Sequence, residues 1–181
     1  MVIISVFFGI AAAVVFTIIL TPRVVEYVES VEIRSCPETV YDSIRFQRDL
    51  MRWSAWPTET GSRCQTDGTD GEIHAKTIFL DKKGTAFGYQ SITEVIQNQK
   101  ISFSLESKGP PHIPTLDFHI IPIDNQLTRV LLHFRNDITP PFHFFLKLFG
   151  IVRWTRKMHE KDLDGLKRFI ERSEDYQGNP I

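Results

Sequence analysis

Cysteine is nearly missing from this chain. Cys36 and Cys64 are its only 2, without metal-ligand spacing and too few for a dense disulfide framework; one disulfide between them stays open. An excess of one charge is missing too. Lys and Arg number 21 against 22 Asp and Glu, for a net charge of −1. No global field therefore draws the chain to nucleic acid or anionic lipid. There is no internal repeat, no low-complexity tract, no Gly-x-Ser-x-Gly elbow, no P-loop and no Gly-x-Gly-x-x-Gly stretch. The 6 histidines include no His-Glu-x-x-His or similar pair that would set two ligands on one metal. These absences leave no catalytic residue, no metal site and no cofactor to nominate.

The first thing present is an uncharged run that begins at Val2 and ends at Leu20, interrupted only by the polar Ser5 and Thr17. Its length suits a bilayer core, which needs about 20 apolar residues, and a helix would satisfy its backbone there. A cleaved signal peptide would want a basic start, a shorter apolar core and a small-x-small cleavage site. No Lys or Arg precedes the run, Ala11, Ala12 and Ala13 lie in its middle, and Leu20-Thr21-Pro22-Arg23 cleaves poorly. The expectation is a retained single-pass anchor over residues 1–22, with the lipid bilayer as partner. Arg23 and Arg34 lean the following domain towards the cytoplasmic side, which stays open.

The stretch that organises the rest runs from Pro140 to about Ser173. Phe142, Phe145, Leu148, Phe149 and Val152 recur at helical steps, as do Met158, Leu163, Leu166, Phe169 and Ile170. Lys147, Arg153, Arg156, Lys157, Lys161, Asp162, Lys167 and Arg168 fall on the other side, an ordinary solvated face. Pro140 and Pro141 suit a helix entrance. Such a helix would span on the order of 50 Å, more than a small sheet, so a bend is expected near Gly150. Gly165 reads either as a tolerated glycine or as a close approach of helix to sheet. A helix with one apolar stripe needs an apolar partner.

The chain before it supplies strands. Residues 24–34 are rich in β-branched side chains. Ser35 and Glu38 have capping-box spacing, with Pro37 in the first turn. Val40, Tyr41 and Ile44 begin a first short helix, and Leu50, Met51, Trp53 and Trp56 continue a second apolar segment that Pro57 ends. A weak strand is expected around 63–65 and strands over 72–80 and 85–96, joined by a turn at Gly84. Residues 100–107 alternate, with Ile101, Phe103 and Leu105 facing one way. The last hairpin, 115–121 and 128–135, predicts its own register. Leu116, Phe118 and Ile120 share a burial face with Val130, Leu132 and Phe134 only if 118 lies opposite 132. Asp117, His119, His133 and Arg135 then take the wetter face. Residues 174–181 read as a frayed tail.

Strand, short helices, antiparallel strands and a long helix make an α+β order. The segments Val31-Glu32-Ile33-Arg34-Ser35-Cys36-Pro37-Glu38-Thr39-Val40-Tyr41, Trp53-Ser54-Ala55-Trp56-Pro57, Gly68-Thr69-Asp70-Gly71 and Leu163-Asp164-Gly165-Leu166-Lys167-Arg168-Phe169 resemble the polyketide cyclase/dehydrase-like branch of the START/Bet v 1-like (SRPBCC) superfamily. The resemblance covers nearly everything from Arg23 to Ile170. It implies a helix-grip domain over 23–173, a curved antiparallel sheet wrapped around a long C-terminal helix with an apolar cavity between them. An apolar N-terminal segment ahead of such a domain is familiar in bacterial members, which places the expected anchor in a bacterial inner membrane.

Phe103, Leu105, Phe118, Leu132, Phe134, Phe145, Phe149 and Val152 should line the space between sheet and helix, as core or as ligand contacts. Trp56 suits a pocket rim and, equally, packing of the short helices on the sheet end. The reading is a membrane-tethered binder of a hydrophobic small molecule, such as a lipid, isoprenoid or polyketide-like compound. Two alternatives stand beside it: a cyclase or dehydratase using polar groups in the cavity, and an interaction module with a closed core. Cys36 at a helix start reads as structural.

Overall fold

The computed structural model describes Gly9, Ala12, Ala13 and residues 15–108 and 112–177. Seven strands form one antiparallel sheet: β1 Val24–Ile33, β2 Arg63–Asp67, β3 Lys76–Leu80, β4 Ala86–Ile96, β5 Lys100–Ser107, β6 Thr115–Pro122 and β7 Thr128–Asp137. Their order is β1-β7-β6-β5-β4-β3-β2. Among the described residues five helices follow the N-terminal segment: α1 Pro37–Arg45, α2 Gln47–Trp53, α3 Ala55–Thr60, α4 Phe142–Leu148 and α5 Ile151–Gln177.

The β6–β7 register follows from side-chain alternation. Phe118 pairs with Leu132, Leu116 with Phe134 and Ile120 with Val130, and all six side chains are buried. Asp117 faces His133 on the opposite side. A slip of one residue would put Arg129 and His133 in the core instead. The same parity runs across the sheet. Val25, Tyr27 and Ile33 of β1 align with Asn136, Phe134 and Thr128 of β7, and Phe103 of β5 aligns with Ile92 of β4 and Leu116 of β6. Against this inner face α5 lays Met158, Leu163, Leu166 and Ile170, all buried. The result is the helix-grip arrangement, and the interior holds Trp53, Phe103 and Phe118 in edge-to-face contact.

Several local expectations are corrected. The bend expected near Gly150 is there, as a full break into two helices: the φ of 71° at Gly150 lies in the left-handed region that glycine reaches without a Cβ clash. The stripe does not continue through the break: Phe142, Phe145, Leu148 and Phe149 are exposed on α4 rather than gripped by the sheet. Residue Cys36, not Ser35, is the N-cap of α1, and the Cys36 side chain makes no cap bond. Three short helices stand where two were expected, because Pro57 sits in the first turn of α3, where its missing N–H costs nothing. Strand β3 starts only at Lys76, since Gly71 and His74 take positive φ and make a turn. Helix α5 runs to Gln177, into the segment expected as tail; residues 178–181 lie outside the described ones.

Of the expected anchor, Gly9, Ala12, Ala13 and residues 15–20 are helical, and residues 1–8, 10, 11 and 14 lie outside the described ones. Among the described residues no helix is long and apolar enough to cross a membrane.

Candidate functional site

The expected lining residues divide into three groups. Phe103, Phe118, Leu132 and Phe134 are buried core. Leu105 and Val152 are half-buried against that core, as are Tyr27 and Leu146, and Trp56 is half-buried on α3. Phe145 and Phe149 face solvent, 41% and 72% exposed, because the α4 axis departs from the sheet at Gly150. The half-buried Tyr27, stacked on the buried Phe134, marks a rim of the sheet's inner face.

At that rim the Tyr27 hydroxyl and His159 Nδ1 share a hydrogen bond of 2.9 Å. Strand β1 aims Tyr27 inward by its alternation, and α5 aims His159 at it from the buried stripe. Phe134 stacks on Tyr27 with centroids 5.0 Å apart and lies 5.1 Å from the His159 ring. Trp56 closes the other side, 6.2 Å from His159 and edge-on to Trp154 at 5.1 Å. Arg156 lies over the Tyr27 ring and pairs with Glu29. On the same inner face, next to Phe134, Asn136 is buried and its Oδ1 has no hydrogen-bond partner among the described residues.

Burial sets the protonation of the pair. Desolvation lowers the His159 imidazole to about 4. Desolvation, helped by Glu29 and opposed by Arg156, raises the Tyr27 phenol. Both are neutral near pH 7, so together they offer a donor and an acceptor inside an aromatic shell. An imidazole this weakly basic is a poor proton abstractor, since general bases work best with a pKa near the working pH. The geometry suits holding a polar end of a ligand more than moving its protons.

Asp162 fixes the Trp56 wall. Its Oδ1 accepts from Ser54 Oγ at 3.0 Å and from the Ala55 N–H at 2.7 Å, tying the start of α3 to α5. Desolvation raises its carboxyl to about 7, against those bonds and one from Trp56. Asp162 was expected on the solvated side of the helix and is buried instead. Sequence reading missed Tyr27, His159, Trp154 and Asp162 as a group. A signal was there: 159 and 162 share the stripe of 163, 166 and 170, where polar side chains are out of place.

The remaining histidines and the large grooves lie elsewhere. His133 Nε2 meets Glu26 at 2.7 Å on the outer face, and Asp117 lies 3.8 Å from its Nδ1, with Asp117 and His133 as half-buried cross-strand neighbours. A groove of about 1040 Å³ on that outer face includes Val28, His119, Leu131 and His133. Another, of about 960 Å³, lies between α2, α3 and α5 beside Gly165. Neither lies between the sheet's inner face and α5. Among the described residues no group of three or more His, Cys, Asp or Glu side chains could hold a metal.

The fold has counterparts in solved structures. Norcoclaurine synthase from Thalictrum flavum, in complex with dopamine and hydroxybenzaldehyde, superposes with a TM-score of 0.62 at 9% identity, over 84% of this chain and 90% of that one. The fold is of the Bet v 1 and polyketide cyclase kind. A protein of unknown function from Staphylococcus aureus matches with a TM-score of 0.63 at 15% identity, over 84% of this chain and 96% of that one. The di-domain ARO/CYC protein StfQ of the steffimycin biosynthetic pathway matches with a TM-score of 0.60 at 13% identity, over 84% of this chain and 52% of that one. No protein-family profile and no curated protein matches the sequence.

Proposed function

We propose that this chain is a membrane-tethered binding domain for a hydrophobic small molecule, held between the sheet and α5 with its polar end at Tyr27 and His159. The observation that carries the reading is that hydrogen-bonded neutral pair, set against the rings of Phe134 and Trp56. An apolar body would leave water for that wall, and the pair and Asn136 would satisfy its polar atoms. The norcoclaurine synthase complex supports it, since a related fold there holds small aromatic molecules. The run from Val2 to Leu20 would keep the domain beside the bilayer from which such a ligand partitions.

The test uses the full chain in lipid nanodiscs with a diazirine-bearing fatty alcohol. After irradiation, cross-links are expected on peptides carrying Phe134, Val152 or Trp56, with reduced yield in Tyr27→Phe. Cross-links confined to residues 2–20 would overturn the binding reading. Recovery of the protein as a soluble species without lipid or detergent would overturn the tether.

A further inference from the structure

From Pro140 to Met158 the sequence carries Lys147, Arg153, Arg156 and Lys157 and no acidic residue. In the same stretch Phe142, Phe145, Leu148, Phe149, Ile151 and Trp154 are all exposed. Apolar exposure this dense over one helix and the next turn is unusual on a water-facing surface. The pattern of aromatic and leucine side chains with basic residues, and no acids, is that of a segment lying in a membrane interface.

The position of this elbow says which surface covers it. His143, buried on α4, bonds through Nε2 to the Ile18 carbonyl at 2.8 Å, and Lys147 Nζ donates to the Pro22 carbonyl at 2.6 Å. Helix α4 is thus fastened to the end of the N-terminal apolar segment, whose Val15, Phe16, Ile19 and Leu20 are also exposed. Arg156 is engaged by Glu29, but Arg153 and Lys157 have no ion pair among the described residues and stand exposed beside Trp154. Val152, half-buried against the core, lies within this same elbow.

We propose that α4 and the first turns of α5 form an interfacial docking surface for the lipid bilayer. Phe145, Leu148 and Phe149 enter the acyl boundary, Trp154 lies at headgroup depth, and Arg153 and Lys157 meet anionic headgroups. The elbow then turns Val152 and the rim at Tyr27 towards the membrane, so that a ligand passes from lipid to protein without crossing water. This deepens the tethered-binder reading and rests on it.

The test is made on the full chain in vesicles of phosphatidylcholine and phosphatidylglycerol. In a Cys36→Ser/Cys64→Ser background, a nitrobenzoxadiazole label goes on Phe149→Cys, on Leu148→Cys or on Asp124→Cys. Asp124 lies in the β6–β7 turn, at the far end of the strands from Pro22. Labels at 148 and 149 should emit to the blue and be quenched several-fold by a nitroxide-bearing lipid, while the label at 124 should not. Brominated lipid should quench tryptophan emission, and Trp154→Phe should remove most of that quenching. If the protein floats with the vesicles but the labels at 148 and 149 report water, the elbow proposal is overturned and the tether stands. A shielded label that responds to protein concentration and not to lipid quencher would assign the surface to a second copy, overturning it as well. Failure to float would overturn the tether, and the elbow with it.

Discussion

The Tyr27 hydroxyl stands 2.9 Å from His159 Nδ1, across 132 positions of sequence. This bond joins the edge strand β1 to the buried stripe of α5, so each partner is kept in place by the other. Losing one partner leaves the other buried and unpaired, at about 1–3 kcal/mol. Tyr27→Phe and His159→Phe should each lower stability by that order in urea titration, and the double variant should lose clearly less than the sum. Additive losses would show that the two side chains do not act as a pair.

The pH dependence of stability holds a concealed cancellation. His159 titrates at about 4 in the fold and 6.5 when unfolded; Asp162 titrates at about 7 in the fold and 3.8 when unfolded. Between those limits the unfolded chain holds a proton on His159 that the folded chain lacks, and the folded chain holds one on Asp162 that the unfolded chain lacks. The two slopes oppose and nearly cancel. Asp162→Asn leaves His159 alone, so relative to the parent its stability should rise with pH from about 4 to 6.5. His159→Phe leaves Asp162 alone, so its stability should be greatest near pH 4 and fall as pH rises through about 7. Each change should be on the order of 2–4 kcal/mol. Parallel pH curves for parent and variants would refute the assignment.

Gly165 allows α5 to touch α2. A Cβ there would stand 2.0 Å from the Trp53 carbonyl oxygen. The close approach is to a helix, not to the sheet as the sequence had suggested. Alanine would gain about 1 kcal/mol of helix propensity but force α2 off α5. Gly165→Ala should therefore lower the Tm, with a net loss of about 1–2 kcal/mol once overpacking is set against propensity. A neutral or stabilising result would mean the two helices part easily.

Register can be checked on neighbouring leucines. Leu132 is fully buried on the inner face, and Leu131 is half-buried on the outer one. Leu132→Ala should cost about 2–5 kcal/mol and Leu131→Ala under about half of that. Equal losses in urea titration would contradict the parity of β7.

What could be read along the chain was whatever repeats locally. The β6–β7 pairing was legible because strand side chains alternate with period two, and only one register buries Leu116, Phe118, Ile120, Val130, Leu132 and Phe134 together. The stripe of α5 from Met158 to Ile170 was legible from its helical spacing. The turn at Gly84 and the break at Gly150, both at positive φ, were marked by glycine. Phe142, Phe145 and Phe149 were misplaced because spacing describes a helix's face but not where its axis goes after Gly150. The site rim was not legible, since Tyr27, Trp56, Phe134 and His159 meet only through the crossing of α5 over β1. Alternation and helical spacing are properties of neighbours, so the amino-acid order alone settled sheet register and the gripping stripe. Which polar groups are desolvated depends on packing between distant segments, so only the tertiary structure decided that His159 and Asp162 are buried and that the aromatic side chains of α4 are not.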